Sequence, residues 1–230
     1  MSFSIDLDFF NDTNETPLDK IIPSNKKEKI EYETPSNFSY NEVFIKDASS
    51  SIYFTQGCTS LLVAIYGPKE TKFISKQKPT KANLEIYTKS YQELPKDTTL
   101  SLNASIKSFV KSIILLSSYP KCQINICVNI LTSNKNDFIT QSVIFNGIML
   151  ALCLSGIDLK AMVLSKGFND NSGRSLLMSL DANNGDNIMN LDSNFAFNNN
   201  ELEVYLNKTK QSNEDVYKKI KKVLYKILKE

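Results

Sequence analysis

The chain contains no histidine, and that absence removes much side-chain chemistry at once. Ser-His and Cys-His nucleophile pairs need an imidazole to take the proton, as does any reaction run by a His general base. Four cysteines remain: Cys58, Cys122, Cys127 and Cys153. All sit in or beside apolar runs, where a thiol usually behaves as a small buried hydrophobe. Cys122 and Cys127 lie five apart on an expected strand, so their side chains leave opposite faces, whereas zinc needs convergent ligands. No metal or cofactor is expected. Of 27 basic residues, 26 are Lys and one is Arg, Arg174. Lysine brings a point charge to a phosphate but not the planar bidentate fork of a guanidinium. No Walker A loop, G-x-G-x-x-G, H-E-x-x-H or paired-cysteine zinc spacing occurs.

Whatever these groups do, ordinary secondary-structure elements must position them. Ser50 to Thr55 and Thr59 to Tyr66 read as strands about a turn at Gln56-Gly57-Cys58. The second is apolar on both parities and is expected to be buried on both faces, with Gly67-Pro68 ending it. Ala82–Thr88 alternates as a half-buried strand. From Thr99 the period changes. Leu102, Ile106, Phe109, Val110, Ile113 and Ile114 predict an amphipathic helix capped by Thr98 or Thr99, stopped at Tyr119-Pro120. Ile124, Ile126, Val128 and Ile130 alternate with polar residues, which predicts a strand. Residues 141–154 are almost wholly apolar and predict a buried central helix, with Gly156 just past its end.

Further strands are expected at about 159–166 and 175–181. Asn183-Asn184-Gly185-Asp186 suits a hairpin turn into another strand at roughly 187–192. A last helix carries Val216, Ile220, Val223, Leu224, Ile227 and Leu228 as its apolar stripe. The order β-β-β-α-β-α-β-β-β-α predicts an α+β domain of two mixed β-sheets with helices between them.

Residues 1–40 are expected to form a polar, flexible extension to a domain spanning 41–230. Pro17, Pro23 and Pro35 punctuate it and no apolar periodicity lasts. Asp6-Leu7-Asp8-Phe9-Phe10 has the makings of a docking motif and Lys26-Lys27-Glu28-Lys29 of a nuclear signal; the competing reading for both is a solvated extension. Formal charge is +2 overall but uneven, at −4 over residues 1–40 and +5 over 208–230. A sequence pI near 8.2 falls short of an autonomous nucleic-acid binder. Neither an uninterrupted apolar run of about 18 residues nor a secretory signal at the start is seen, so an intracellular protein with no membrane partner is expected.

Three blocks carry a resemblance. Residues 53–68, Tyr-Phe-Thr-Gln-Gly-Cys-Thr-Ser-Leu-Leu-Val-Ala-Ile-Tyr-Gly-Pro, resemble the opening signature of RNase PH-family proteins. Tyr119-Pro120-Lys121-Cys122-Gln123-Ile124 is similar to the family's entry to its central strand. Residues 145–157, Phe-Asn-Gly-Ile-Met-Leu-Ala-Leu-Cys-Leu-Ser-Gly-Ile, are similar to its Asn-Gly-containing helix. The likeness spans about residues 46–230 and implies the RNase PH-like (ribosomal protein S5 domain 2-like) fold. Gly67-Pro68-Lys69-Glu70 followed by Lys81-Ala82-Asn83-Leu84-Glu85-Ile86 resembles, within the family, the subunits of the RNA-exosome ring.

Phosphorolysis brings phosphate to a phosphodiester, so two anionic groups must meet over fixed positive charge and backbone donors. The resemblance implies where that site would lie. Active relatives place Asp-Gly-Gly-Thr-Arg before the central helix; here the stretch is Asp137-Phe138-Ile139-Thr140-Gln141, without the glycines that admit phosphate and with neutral Gln141. A later acidic cluster is reduced to Asp170. The degenerate site at Asp137, Gln141 and Asp170 implies a catalytically inactive homologue, with Arg174 either a stray phosphate ligand or a solvated turn residue.

The expected function is therefore a non-catalytic ring subunit that supports 3′-to-5′ RNA processing and degradation. Its expected partners are other RNase PH-like ring subunits, cap subunits and RNA, in the nucleus, nucleolus included, and the cytoplasm. RNA would be met electrostatically, the candidates being Lys72, Lys76, Lys78, Lys81 and Lys121. A phosphorolytic exoribonuclease with an altered site, distinguished by a clustered anion site at Gln141, is one alternative. A free-standing homo-oligomeric RNA-binding protein is another.

Overall fold

The computed structural model describes residues 31–71, 77–91, 96–133, 138–170 and 172–227. Nine strands and three helices alternate along them: β1 (Glu31–Glu33), β2 (Phe38–Glu42), β3 (Ser50–Gln56), β4 (Thr59–Glu70), β5 (Asn83–Ser90), α1 (Lys96–Ile113), β6 (Cys122–Thr132), α2 (Phe138–Ser155), β7 (Val163–Asp170), β8 (Ser175–Asp181), β9 (Ile188–Ser193) and α3 (Asn199–Ile227). A short 3-10 turn, Leu116–Ser118, precedes β6. One sheet has five strands in the order β2-β3-β4-β6-β5, the other four in the order β1-β7-β8-β9. Only β5 and β6, joined through α1, run parallel. The expectation of two mixed sheets thus holds for the first alone; the second is antiparallel throughout, because hairpin turns connect its last three strands.

Helix α2 sits between the sheets, packing on β3 and β4 of one and on β7 and β8 of the other. It is apolar all round, as a helix with no solvent face must be. Val143, Ile144, Phe145, Ile148, Met149, Leu150, Ala151 and Leu152 are all fully buried. By length and composition it could also cross a membrane, but most of it is buried inside this fold. Gly147 admits the closest approach: a Cβ there would lie 2.5 Å from Leu61 Cδ1 and 3.3 Å from Phe54 Cδ1. Phe145 stacks on Phe109 of α1 with ring centroids 4.0 Å apart. Helix α1 buries the stripe read from its spacing and leaves Lys107 and Lys111 exposed, though it begins at Lys96 and so takes Thr98 and Thr99 into its first turn.

Several boundaries differ from the sequence reading, each for a visible reason. Strand β4 runs through Gly67-Pro68 to Glu70, because a bulge between Tyr66 and Lys69 absorbs the pair while β6 continues alongside. Gly67 is at φ +108, and a Cβ on it would come 2.5 Å from the Gln123 carbonyl. Leu62 and Tyr66 are only half-buried, so the strand is sealed on one face rather than both. Strand β7 starts at Val163 rather than 159, since Leu159 is drawn into a bridge with Ile114 at the end of α1.

The folded unit also begins ten residues earlier than 41. Glu31–Glu33 pairs with β7 and Phe38–Glu42 with β3, where Phe38 stacks on Phe54 at 5.4 Å. The two motifs at residues 6–10 and 26–29 lie outside the described residues.

Candidate functional site

The first turn of α2 is where the resemblance implies phosphate would bind. A helix N-terminus offers four unpaired N–H groups and the positive end of the dipole, so the fold supplies the raw material of an anion site. Its surroundings are built differently. The turn is packed onto β7 at Gly167, where a Cβ would lie 2.5 Å from the Phe138 carbonyl oxygen and 2.8 Å from Ile139 Cα. Gln141 is half-exposed and Ser142 fully buried. Asp137 lies outside the described residues.

The end of β1 closes over this turn. The Thr34 and Ser142 hydroxyl oxygens are 2.5 Å apart. Each hydroxyl also faces a carbonyl, Ser142 Oγ that of Ile139 at 2.7 Å and Thr34 Oγ1 that of Gly167 at 3.3 Å, so either can donate the proton between them. Thr34 Oγ1 in turn accepts the Gly167 N–H at 2.9 Å, and the Thr34 N–H donates to the Gly167 carbonyl at 3.0 Å. Thr34 therefore pins β7 and α2 together at the turn where the resemblance implies a phosphate site.

The neighbouring charges are committed to one another. Asp170 ends β7 with its side chain almost buried; it accepts from Ser172 Oγ at 2.9 Å and faces Arg174 Nη2 at 3.5 Å. Arg174 also faces Glu201 at 3.9 Å and lies over the Phe195 ring at 5.0 Å. The one arginine is thus engaged as a brace between the β7–β8 turn and α3 rather than freely solvated. Lys166, nearly buried, pairs with Glu33 at 2.6 Å and lies over Phe168 at 5.4 Å. Among the described residues no three His, Cys, Asp or Glu gather as potential metal ligands.

The lysines divide differently. Lys72 and Lys76 lie outside the described residues. Lys78, Lys81 and Lys121 are all exposed. The Lys121 N–H donates to the Lys78 carbonyl at 3.0 Å, which ties the turn before β6 to the segment before β5. Lys78 and Lys81 line a cleft of about 330 Å³ together with Lys107 and Lys111 of α1, over Ala82, Leu84 and Leu116. The two α1 lysines escaped the sequence reading because a solvent-face lysine on an amphipathic helix looks like any other. Their i, i+4 spacing was the available signal.

All four thiols are free: Cys58 is exposed and the others are half-buried. Burial pushes the Cys153 thiol up to about 11 and raises that of Cys127 as well. Since the thiolate is the reacting form, iodoacetamide at pH 8 is expected to label Cys58 first and Cys153 last in the folded chain. Peptide mass mapping over a time course checks this order, and labelling of Cys153 at the rate of Cys58 would contradict the packing of α2.

A family model described as the 3′ exoribonuclease family, domain 1 (RNase PH), matches residues 37–158. The exosome complex component Rrp41 of Archaeoglobus fulgidus is 22% identical over 192 residues, covering 80% of this chain and 72% of its own length. Among solved structures, rice (Oryza sativa) Rrp46 superposes with a TM-score of 0.72 at 16% identity, over 84% of this chain and 95% of that one. A chain of an archaeal exosome core superposes with a TM-score of 0.61 at 11% identity, over 80% of this chain and 86% of that one.

Proposed function

This chain belongs to the 3′ exoribonuclease (RNase PH) family, and we propose that within it the protein is a non-catalytic subunit of an RNA-exosome core ring. The observation that carries the proposal is the first turn of α2. There Gln141 stands where active relatives are expected to hold arginine, the backbone is pressed onto Gly167, and Arg174 is braced between Asp170 and Glu201. The likeness to Rrp41 of an archaeal exosome and to rice Rrp46 supports the choice of assembly, as does the Gly67-Pro68-Lys69-Glu70 sequence that ends β4.

In this reading the chain's partners are other RNase PH-like ring subunits, the cap subunits and RNA, and it works in the nucleus, nucleolus included, and the cytoplasm. Its contribution is to complete the ring and to guide RNA towards a separate nuclease. Epitope-tagged protein isolated from its own cells under native conditions is expected to bring down further RNase PH-like subunits in near-stoichiometric amounts. Recovery of the tagged chain alone, or as a self-assembled oligomer, overturns the ring assignment.

A further inference from the structure

We propose that the cleft between α1 and the start of β5 binds the sugar-phosphate backbone of single-stranded RNA, with Lys107 and Lys111 as ligands alongside Lys78 and Lys81. The inference deepens the RNA-handling part of the proposed function and rests on it. Four lysines line a concavity of about 330 Å³ whose other lining residues, Ala82, Leu84 and Leu116, are apolar. No carboxylate lines it, and among the described residues none of the four lysines forms an ion pair. Lysines without an acidic partner are common among the described residues, Lys222 and Lys226 of α3 included; what marks the cleft is that four of them line one concavity.

Lys107 and Lys111 are neighbours one helical turn apart, where like charges repel. Two more lysines from a different segment line the same cleft, so it gathers positive charge from two walls. Ammonium groups meet phosphate oxygens as point charges, which asks for no fixed bidentate geometry from the ligand. A run of backbone phosphates can satisfy lysines on both walls at once without reading any base.

The test measures binding of a fluorescent oligouridylate by the full chain as a function of salt. Each phosphate contact contributes about 0.7 to the slope of log K against log salt for a single strand. The double variant Lys107→Gln/Lys111→Gln is expected to lower that slope by about 1.4 and to weaken binding at low salt. The Lys107→Arg/Lys111→Arg variant keeps the charge and is expected to bind like the wild type. Lys222→Gln/Lys226→Gln removes the same charge at the same spacing from α3 and is expected to leave the slope close to wild type.

Equal loss in the α1 and α3 variants, or no change in slope in either, overturns the site. Displacement of the oligouridylate by polyglutamate as readily as by unlabelled RNA overturns it in favour of an acidic protein partner. Native isolation of the tagged α1 variant separates the two levels of the argument. Normal recovery of ring subunits with unaltered RNA binding sinks the cleft and leaves the ring assignment standing.

Discussion

Replacing Asn146 with leucine is expected to destabilise the fold by about 3–5 kcal/mol, more than any exposed substitution, by leaving buried backbone groups unpaired. Asn146 lies in the centre of α2 and is buried. Its amide oxygen accepts the Ser165 N–H at 2.8 Å, and its amide nitrogen donates to the Ser165 carbonyl at 3.0 Å and to Gln56 Oε1 at 3.2 Å. Strand β1 pairs with β7 only from Phe168 to Asp170, and Thr34 extends that cover to Gly167. Ser165 is the next residue along β7 facing the same edge, and Asn146 takes the place of a missing neighbouring strand.

Leucine keeps the branched shape of the side chain but provides neither donor nor acceptor. The Ser165 N–H and carbonyl, and Gln56 Oε1, then lose partners in a region closed to water, at about 1–3 kcal/mol for each unsatisfied group. Urea unfolding midpoints of Asn146→Leu and of the exposed control Asn207→Leu provide the comparison. A loss below about 1 kcal/mol for Asn146→Leu would mean that water or a shifted strand replaces the amide. The Asn-Gly pair that helps to mark the family therefore has an account that needs no catalysis: Asn146 completes a sheet edge, and Gly147 lets Leu61 and Phe54 approach the helix.

That pair also shows why the centre of the fold was legible in the sequence and its margins were not. Strand β6 and helix α1 announce themselves because their buried positions are apolar at a single clean period, such as Ile124, Ile126, Val128 and Ile130, and α2 because its apolar run is nearly unbroken. The first half of α3 does not. Its inward face continues Leu202, Leu206, Thr209, Asn213, Val216 and Ile220 at helical spacing, but two of the six are polar. Thr209 is fully buried and returns its hydroxyl to the Tyr205 carbonyl at 2.7 Å, while Asn213 is buried against the Leu164 carbonyl at 3.1 Å. A stripe interrupted by satisfied polar groups ends early to any reading based on hydrophobicity, so 199–215 was missed. Strands β1 and β2 were hidden similarly, since Thr34 and Gln56 do much of the work through hydrogen bonds rather than apolar area.

At the degenerate site, residue identities were readable and residue partnerships were not. The neutral Gln141 and the side chains of Phe138 and Ile139 are facts of the sequence. That Arg174 is consumed by Asp170, Glu201 and the Phe195 ring depends on a tight β7–β8 turn and on where α3 begins. Both boundaries lay outside what periodicity could place. The same limit applied to Lys107 and Lys111, which meet Lys78 and Lys81 only through the packing of α1 beside β5.

The purified chain, incubated with single-stranded RNA and inorganic phosphate, is expected to release no nucleoside diphosphates, and Gln141→Arg is expected not to change that. The variant is a fair test because Gln141 is half-exposed, so an arginine can be accommodated without disturbing the core, and an unchanged urea midpoint would verify it. It restores one cation next to the helix N-terminus. It does not remove the side chains of Phe138 and Ile139, loosen the Thr34–Ser142–Gly167 latch or release Arg174. One preorganised stabiliser is commonly worth about 10²–10³ in rate, but members of a catalytic unit act together, so repairing one while others are missing recovers little. Phosphate-dependent diphosphate release by the wild-type chain would restore the altered-enzyme alternative. Release only by Gln141→Arg would show that the remaining first turn of α2 is competent and that a single charge had been the whole deficit.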